Sequence, residues 1–268
     1  MPDTDLAVDR KGKPMLKTQA ILAVAALLAA KVAVGPALAD PAADAMLKRA
    51  FDNYRANSSE ASVEMTVHRP DWERQMGMKS WTRGQDDALV RFTQPAKDAG
   101  NATLKLGQET WVFNPKLNQV IKLPPSMMAQ SWMGSDFSYN DLAKSEELLT
   151  DYAHRITGTQ AVGGHQVTTI EAMPKPGAPV VWGKVEIKLR DDNVVTEETY
   201  FDQDMKPARK MTTDKIGPLG DRQYPLVMTM HPQDAPGQWT RIETKDAQFN
   251  ASVADYIFTL SNLQNPRE

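Results

Sequence analysis

Ala61-Ser62-Val63-Glu64-Met65-Thr66-Val67-His68 decides the architecture. Apolar and polar residues alternate along it, so Ala61, Val63, Met65 and Val67 share one face of a strand and Ser62, Glu64, Thr66 and His68 the other. Working outward, the same pattern recurs between turn signals. Arg69-Pro70-Asp71 breaks the first run, and residues 75–83 resume it with Met76, Met78 and Trp81. Further strands are expected at 89–92, 102–106, 110–113 and 120–123, the last two joined by the turn Asn114-Pro115-Lys116-Leu117-Asn118. Strands return at 152–159, 166–172, 180–189, 194–201, 208–214, 224–230 and 239–247. The block Tyr256-Ile257-Phe258-Thr259-Leu260 reads as either a closing strand or a short helix.

Ten or more strands with no helices alternating between them imply a meandering antiparallel sheet. A sheet of that size curls. The expected fold is therefore mainly β (α+β), a curved antiparallel sheet forming an open half-barrel. Two segments remain to cover its concave side. Residues 43–57 put Met46, Leu47, Ala50, Phe51 and Tyr54 on one helical face and Lys48, Arg49, Asp52 and Arg55 on the other, with Pro41 or Asp44 suited to the helix start. Residues 126–150 form an irregular insert with a short helix over 140–149, capped by Asn140 or Asp141. No linker or composition shift divides the chain, so residues 40–268 are expected to form a single domain.

The first 39 residues read as a signal peptide: Lys11, Lys13 and Lys17, an apolar run from Ala20 to Ala30, then Ala37-Leu38-Ala39 as a cleavage site before Asp40. Lys31 ends the run after eleven residues, well short of the about 20 that span a bilayer. Met15 offers an alternative start that leaves a leader of ordinary length. No arginine pair precedes the run, which favours export of the unfolded chain. The chain has no cysteine, so it has no disulfide, thiolate metal site or lipid-modified N-terminal Cys. Removing residues 1–39 takes five basic and three acidic residues and leaves 26 against 31, a net charge of −5. An acidic surface of this kind argues against nucleic acid and gives no polybasic handle for anionic lipid. A free periplasmic protein is expected, as a monomer.

Within the insert, Ser131-Trp132-Met133-Gly134-Ser135-Asp136-Phe137-Ser138-Tyr139-Asn140-Asp141-Leu142 is too apolar for an ordinary surface loop. It is also too rich in Gly, Ser and Asp for a buried strand. It reads as a lid or wall beside an apolar cavity. Met127, Met128, Trp132, Met133 and Phe137 are its candidate lining, since thioether side chains adapt to flexible ligands; core filling beneath a loop is the alternative. The strand residues Val63, Met65, Val67, Trp81, Phe92, Leu104, Trp111 and Phe113 either face the same ligand or pack as interior.

The run Gly134-Ser135-Asp136-Phe137-Ser138-Tyr139 followed by Asp141-Leu142 resembles the signature of the outer-membrane lipoprotein-sorting protein-like family, within the LolA/LolB-like superfamily. The pattern before it also fits: Arg91-Phe92, Pro95, Gly100, the Leu104 strand, Trp111-Val112-Phe113-Asn114-Pro115 and Val120-Ile121-Lys122-Leu123-Pro124. The likeness spans most of residues 44–263 and is specific over 91–142. It implies an unclosed barrel with helices at its mouth, a cavity for acyl chains and a role in envelope transport. Without a Cys after the leader, a lipid-anchored acceptor of the LolB kind is excluded.

Catalytic chemistry finds little support. Asp136 and Asp141 beside Ser135 and Ser138 could suggest a hydrolase, but capping of free backbone amides accounts for them better. His68, His154, His165 and His231 are scattered without zinc spacing. No nucleophile elbow, phosphate loop or H-E-x-x-H motif occurs. The expectation is a non-enzymatic periplasmic carrier or sensor without cofactor or metal, taking a lipid acyl chain or lipoprotein for outer-membrane trafficking. An interaction module for an inner-membrane export pump or an envelope-stress regulator is the alternative.

Overall fold

Turn chemistry fixes where each strand stops in the computed structural model, which describes residues 40–143 and 146–267. The expected signal segment lies outside the described residues. Every expected strand forms. They are β1 (Ser58–Arg69), β2 (Trp72–Arg83), β3 (Asp87–Gln94), β4 (Ala102–Leu106), β5 (Glu109–Asn114), β6 (Gln119–Lys122), β7 (Tyr152–Val162), β8 (His165–Pro174), β9 (Lys184–Arg190), β10 (Val195–Phe201), β11 (Pro207–Leu219), β12 (Arg222–Pro232) and β13 (Trp239–Phe249). They make one antiparallel sheet in the order β6-β5-β4-β3-β2-β1-β13-β12-β11-β10-β9-β8-β7. Two meanders meet where β1 pairs with β13, and the sheet is curved and unclosed, an open half-barrel. Its two edges, β6 and β7, are consecutive in the chain. The insert joining them must therefore cross the opening. β6 has only four residues and runs into Pro124-Pro125, which cannot donate to a neighbouring strand.

Cross-strand partners share a face, so the register shows what lies on each side. One row runs Val67–Thr240–Met230–Met211–Glu198–Ile187–Ile170–Ile156, from β1 to β7. We call this the inner face. Helix α1 (Pro41–Arg55) covers its β7–β9 end, where Ala43, Leu47 and Ala50 pack with Tyr152, Ile170, Ala172, Val185, Ile187 and Leu189. The cap is Asp40, whose carboxylate accepts from Ala42 N, and Pro41 takes the first helical position, where its missing N–H costs nothing. Tyr54 stacks on Tyr224 of β12, and Arg55 donates to the carbonyls of Gly84 and Asp87, tying the far end of α1 to the β2–β3 turn.

The outer face carries a second apolar row, Trp81–Leu89–Leu104–Trp111. The chain's end covers it. Residues 256–260 belong to no strand: a 3-10 turn, Asp255–Phe258, leads into a short helix, Leu260–Gln264. Phe258 and Leu263 sit on Leu89, Ala102, Leu104 and Phe113, and Arg91 donates to the carbonyls of Asn262 and Leu263. Residues 180–183, read as strand from their valines, lie outside β9. A Cβ on Gly183 would stand 2.4 Å from the carbonyl oxygen of Asp202, so the chain passes the β10–β11 turn too closely for any side chain.

With the outer face dependent on its C-terminal cover, Phe258→Ala is expected to cost about 3–5 kcal/mol. Urea unfolding would read this as a lower midpoint at unchanged slope.

Candidate functional site

The insert lies on the inner face over β1–β3. Trp132 N donates to Phe137 O at 2.7 Å and Ser131 bridges Ser138, forming a small hairpin. Its tip is Met133-Gly134, both with positive φ (+53° and +74°), closed by Ser135 N to Trp132 O. Two successive left-handed residues make a primed turn, which explains the glycine. Ser135 is buried and locks the loop: its hydroxyl donates to Trp132 O at 2.7 Å and accepts from Phe137 N at 3.2 Å. Ser138 and Asp141 then form a capping box, with Ser138 N donating to the Asp141 carboxylate and Asp141 N to the Ser138 hydroxyl. The single helix expected over 140–149 is in fact two short ones, α2 (Tyr139–Ala143) and α3 (Glu147–Thr150), and the cap is Ser138 rather than Asn140 or Asp141.

Two arginines from the sheet hold the loop down. Arg69, at the end of β1, donates through both terminal nitrogens to Asp136 (3.0 and 3.1 Å) and to Gly134 O. Thr240 of β13 completes that site: its hydroxyl donates to Asp136 at 2.6 Å and accepts from Asp136 N. Arg209 of β11 grips both carboxylate oxygens of Asp141. Its guanidinium packs against the rings of Trp182 and Tyr200, 4.6 and 4.4 Å from their centroids, which themselves lie 5.4 Å apart. Arg74 donates to Met133 O, and further along Lys105, almost wholly buried, pairs with Glu146 at 2.9 Å. Bidentate, charge-assisted bonds of this kind fix orientation as well as energy.

The apolar contacts are equally specific. Trp132 is 4% exposed, its ring centroid 5.2 Å from that of Phe92, and its indole N–H donates to Thr103 at 3.1 Å. Met65, Val67, Met76, Met78, Phe92 and Trp132 form one cluster, with Val63, Met133, Phe137, Tyr139, Leu142 and Ile242 packed around it. A cleft of about 240 Å3 opens beside the loop, lined by Ser135, Asp136, Phe137, Ser138, Asn140, Asp141, Val181, Trp182 and Arg209.

The candidate lining residues do not come together as one wall. Val63, Met65, Val67 and Phe92 join Trp132, Met133 and Phe137 on the inner face. Trp81, Leu104, Trp111 and Phe113 belong to the outer face, under the C-terminal segment. The reason is parity: Leu89 and Phe92 are both apolar and three residues apart, so β3 serves both faces and a single apolar stripe cannot be followed across it. Met127 and Met128 are half-buried and belong to neither cluster; Met128 contributes its carbonyl to Asn140 N. Of this set only Phe137 lines the cleft. Arg69, Arg209 and Thr240 were missed. The one signal for Arg209 is a charged residue two positions from Met211, on the apolar side of its strand.

Glu198 lies in the inner row beside Arg209's site and accepts from the Tyr200 hydroxyl at 2.6 Å. Burial pushes its carboxyl above the ordinary value, opposed by Tyr200 and the charge of Arg209. Burial acts the same way on Asp141, but there the bonds and charge of Arg209, with those from Ser138, outweigh it and hold the group below its ordinary value. Among the described residues, His165, Asp191 and Asp192 come together as a group of metal-ligand type, but an arginine occupies it. Arg190 donates to His165 Nε2 at 2.7 Å and to Asp192 at 2.6 Å, so a positive charge already stands there.

The site and sheet define a class: an open half-barrel whose mouth is crossed by a polar-anchored loop. A family model described as "uncharacterized protein" matches residues 84–265, and the chain belongs to that DUF1329-like family. Three solved structures share the fold. A DUF1329 family protein from Desulfovibrio piger is 20% identical, with a TM-score of 0.75 over 83% of this chain and 98% of that one. A protein described as an outer membrane lipoprotein-sorting domain, from Vibrio parahaemolyticus, is 19% identical, with a TM-score of 0.73 over 83% and 98%. A LolA superfamily protein from Nitrosomonas europaea is 19% identical, with a TM-score of 0.67 over 81% and 97%. No curated protein matches the chain. Among the described residues, no helix is long and apolar enough to cross a membrane.

The two carboxylates have opposite linkage. Asp141, held low, supports the fold above the ordinary carboxylate range, and that support is lost as pH falls through its folded value. Glu198, held high, weighs against the fold at neutral pH, and acidification relieves it. Asp141→Asn should cost about 3–5 kcal/mol at pH 7 by stranding Arg209, and should flatten the acid limb of the stability curve. Glu198→Gln should be more stable than wild type at pH 7, with the gain vanishing toward about pH 4. Chemical denaturation across pH reads both.

Proposed function

We propose that the protein is a non-enzymatic periplasmic carrier that shelters an acyl chain of a lipid or lipidated molecule on the inner face of its half-barrel, for lipoprotein or lipid traffic to the outer membrane. One observation carries this reading. The insert covers an apolar floor rich in methionine, yet it is held there by side-chain pairs and, among the described residues, not by strand pairing. The floor can thus exchange the insert for a flexible chain with the sheet intact. Methionines adapt to such a ligand, and each methylene buried contributes about 0.8 kcal/mol. The cleft of about 240 Å3 is smaller than the roughly 300–1,000 Å3 of ordinary ligand pockets, so cargo requires the insert to move. The shared fold with a lipoprotein-sorting domain and a LolA superfamily protein supports the same reading.

A second reading, an interaction module for an inner-membrane export pump or envelope-stress regulator, is favoured by one fact: the inner face is filled by the protein's own side chains, Trp132 foremost. Native mass spectrometry with lipid extraction, on protein purified from its own envelope without detergent, separates the two. Acyl species at near one per chain are expected; a bare mass together with a stably bound membrane partner would favour the module.

The two aromatics of the loop should part company. Phe137, half-buried at the cleft, is expected on substitution by Ala to weaken acyl-chain binding about tenfold with a small stability change. Trp132→Ala removes a core side chain and should cost about 3–5 kcal/mol before binding is considered. Equal losses in both properties for Phe137→Ala, by melting and ligand titration, would refute its role at the site.

A further inference from the structure

The register gathers several turns at one end of the strands. His68 faces Trp239, Phe201 faces Lys184 and Pro207, and Arg209 faces Pro232. The turns after β1, β8, β10 and β12 therefore share that end. Three large apolar side chains stand in the open in or next to them: Trp72 (47% exposed), Val181 (45%) and Met205 (48%). The three are connected around the mouth of the cleft. Gln203, in the Met205 turn, donates to Val181 O at 2.9 Å, and Val181 lines the cleft. Asp136 lines it too, and its partner Arg69 lies 5.8 Å from the Trp72 ring.

Cations stand along the same turns. Arg69 and Arg74 lie against Trp72, Lys206 follows Met205, and Lys184 sits over Phe201 where the Val181 loop ends. Acidic residues share these turns, among them Asp71, Glu73, Asp202 and Asp204. Glu73 bonds His68, and the Asp202 carboxylate accepts from the backbone of its own turn. The charges of this rim therefore largely offset one another.

We propose that this rim is a membrane-docking surface, with Trp72, Val181 and Met205 entering the headgroup region of a phospholipid bilayer while Lys184 and Lys206 stay among the headgroups. Tryptophan and basic residues with long stems favour that boundary. A bilayer fits better than a protein partner because the apolar tips are separated by charged residues. A dry protein interface would have to desolvate Asp71 and Asp204, whereas the hydrated headgroup layer leaves them wet. Docking here would present the cleft mouth to the lipid. The inference does not depend on what, if anything, the inner face carries.

The test uses residues 40–268, which lie within a unit compact by itself, and vesicles of phosphatidylethanolamine and phosphatidylglycerol with brominated acyl chains. Wild type is expected to float with the vesicles, with its fluorescence quenched by bromine, and with little dependence on salt. Trp72→Phe should keep binding but lose most of the quenching. Trp72→Ser, Val181→Ser and Met205→Asn together should weaken partitioning about tenfold or more and melt as wild type; Asn is chosen because Met205 has positive φ. Phe137→Ala should float normally, which separates docking from cargo binding. Wild type that stays with the unbound fraction, a triple variant that floats equally well, or quenching that survives Trp72→Phe would each overturn the proposal.

Discussion

β6 and β7 follow one another in the chain yet form opposite edges of the sheet, so the segment between them has to span the opening. Most of the architecture depends on that constraint. The sheet stays unclosed because its two edges are separated by the insert, and β6 is too short and too proline-bound to recruit a partner. The inner face in turn needs a cover, since a curved sheet with a mostly apolar row from Val67 to Ile156, broken by Thr240 and Glu198, cannot leave it in water. Helix α1 supplies that cover at one end and the insert supplies it over β1–β3.

The choice of fastenings is informative. A loop meant only as core could be held by apolar contacts alone, and replacing a buried ion pair with well-packed hydrophobes is often neutral or stabilising. This loop instead uses Arg69–Asp136, Arg209–Asp141 and Lys105–Glu146, all largely shielded from water. Such pairs add little net stability but permit one geometry, because a displaced loop leaves charges unmatched. They set where the insert sits, and Trp132 supplies the depth.

The sequence was legible where local rules suffice. Alternation in Val63-Glu64-Met65-Thr66-Val67 gives β1, and Asn114-Pro115 gives a turn, because both signals are set by neighbours in the chain. The motif from Gly134 to Leu142 was visible as a loop of unusual composition whose Ser and Asp residues serve as caps, but it did not show that Ser138 is the cap and that it and Asp141 satisfy each other. What else could not be read depends on long-range pairing. Nothing local tells that Leu89 and Phe92 serve opposite faces, so four aromatic and aliphatic residues expected at a cavity belong to the outer core. Nor does any local signal join Asp136 to Arg69 and Thr240, or Asp141 to Arg209, which come from strands far apart in sequence.

In the carrier proposed above, a cover that must be both well placed and removable faces opposing demands, and the position of its two arginine fastenings reconciles them. The apolar contacts of Trp132, Met133, Phe137 and Leu142 are with the floor, so the acyl chain proposed above would replace them in kind. Charged partners cannot be replaced by a hydrocarbon; once separated they need water. Arg69 stands where β1 ends, and Arg209 lines the cleft, both at the rim that solvent reaches first. Side-chain exposures of 14% and 10% leave them shielded while paired, yet only a short displacement from hydration. Had the same pairs been placed at the centre of the floor, opening would strand charge against apolar surface. At the rim, separation costs little more than the lost bonds, and the loop can be specific in its closed position without being permanent.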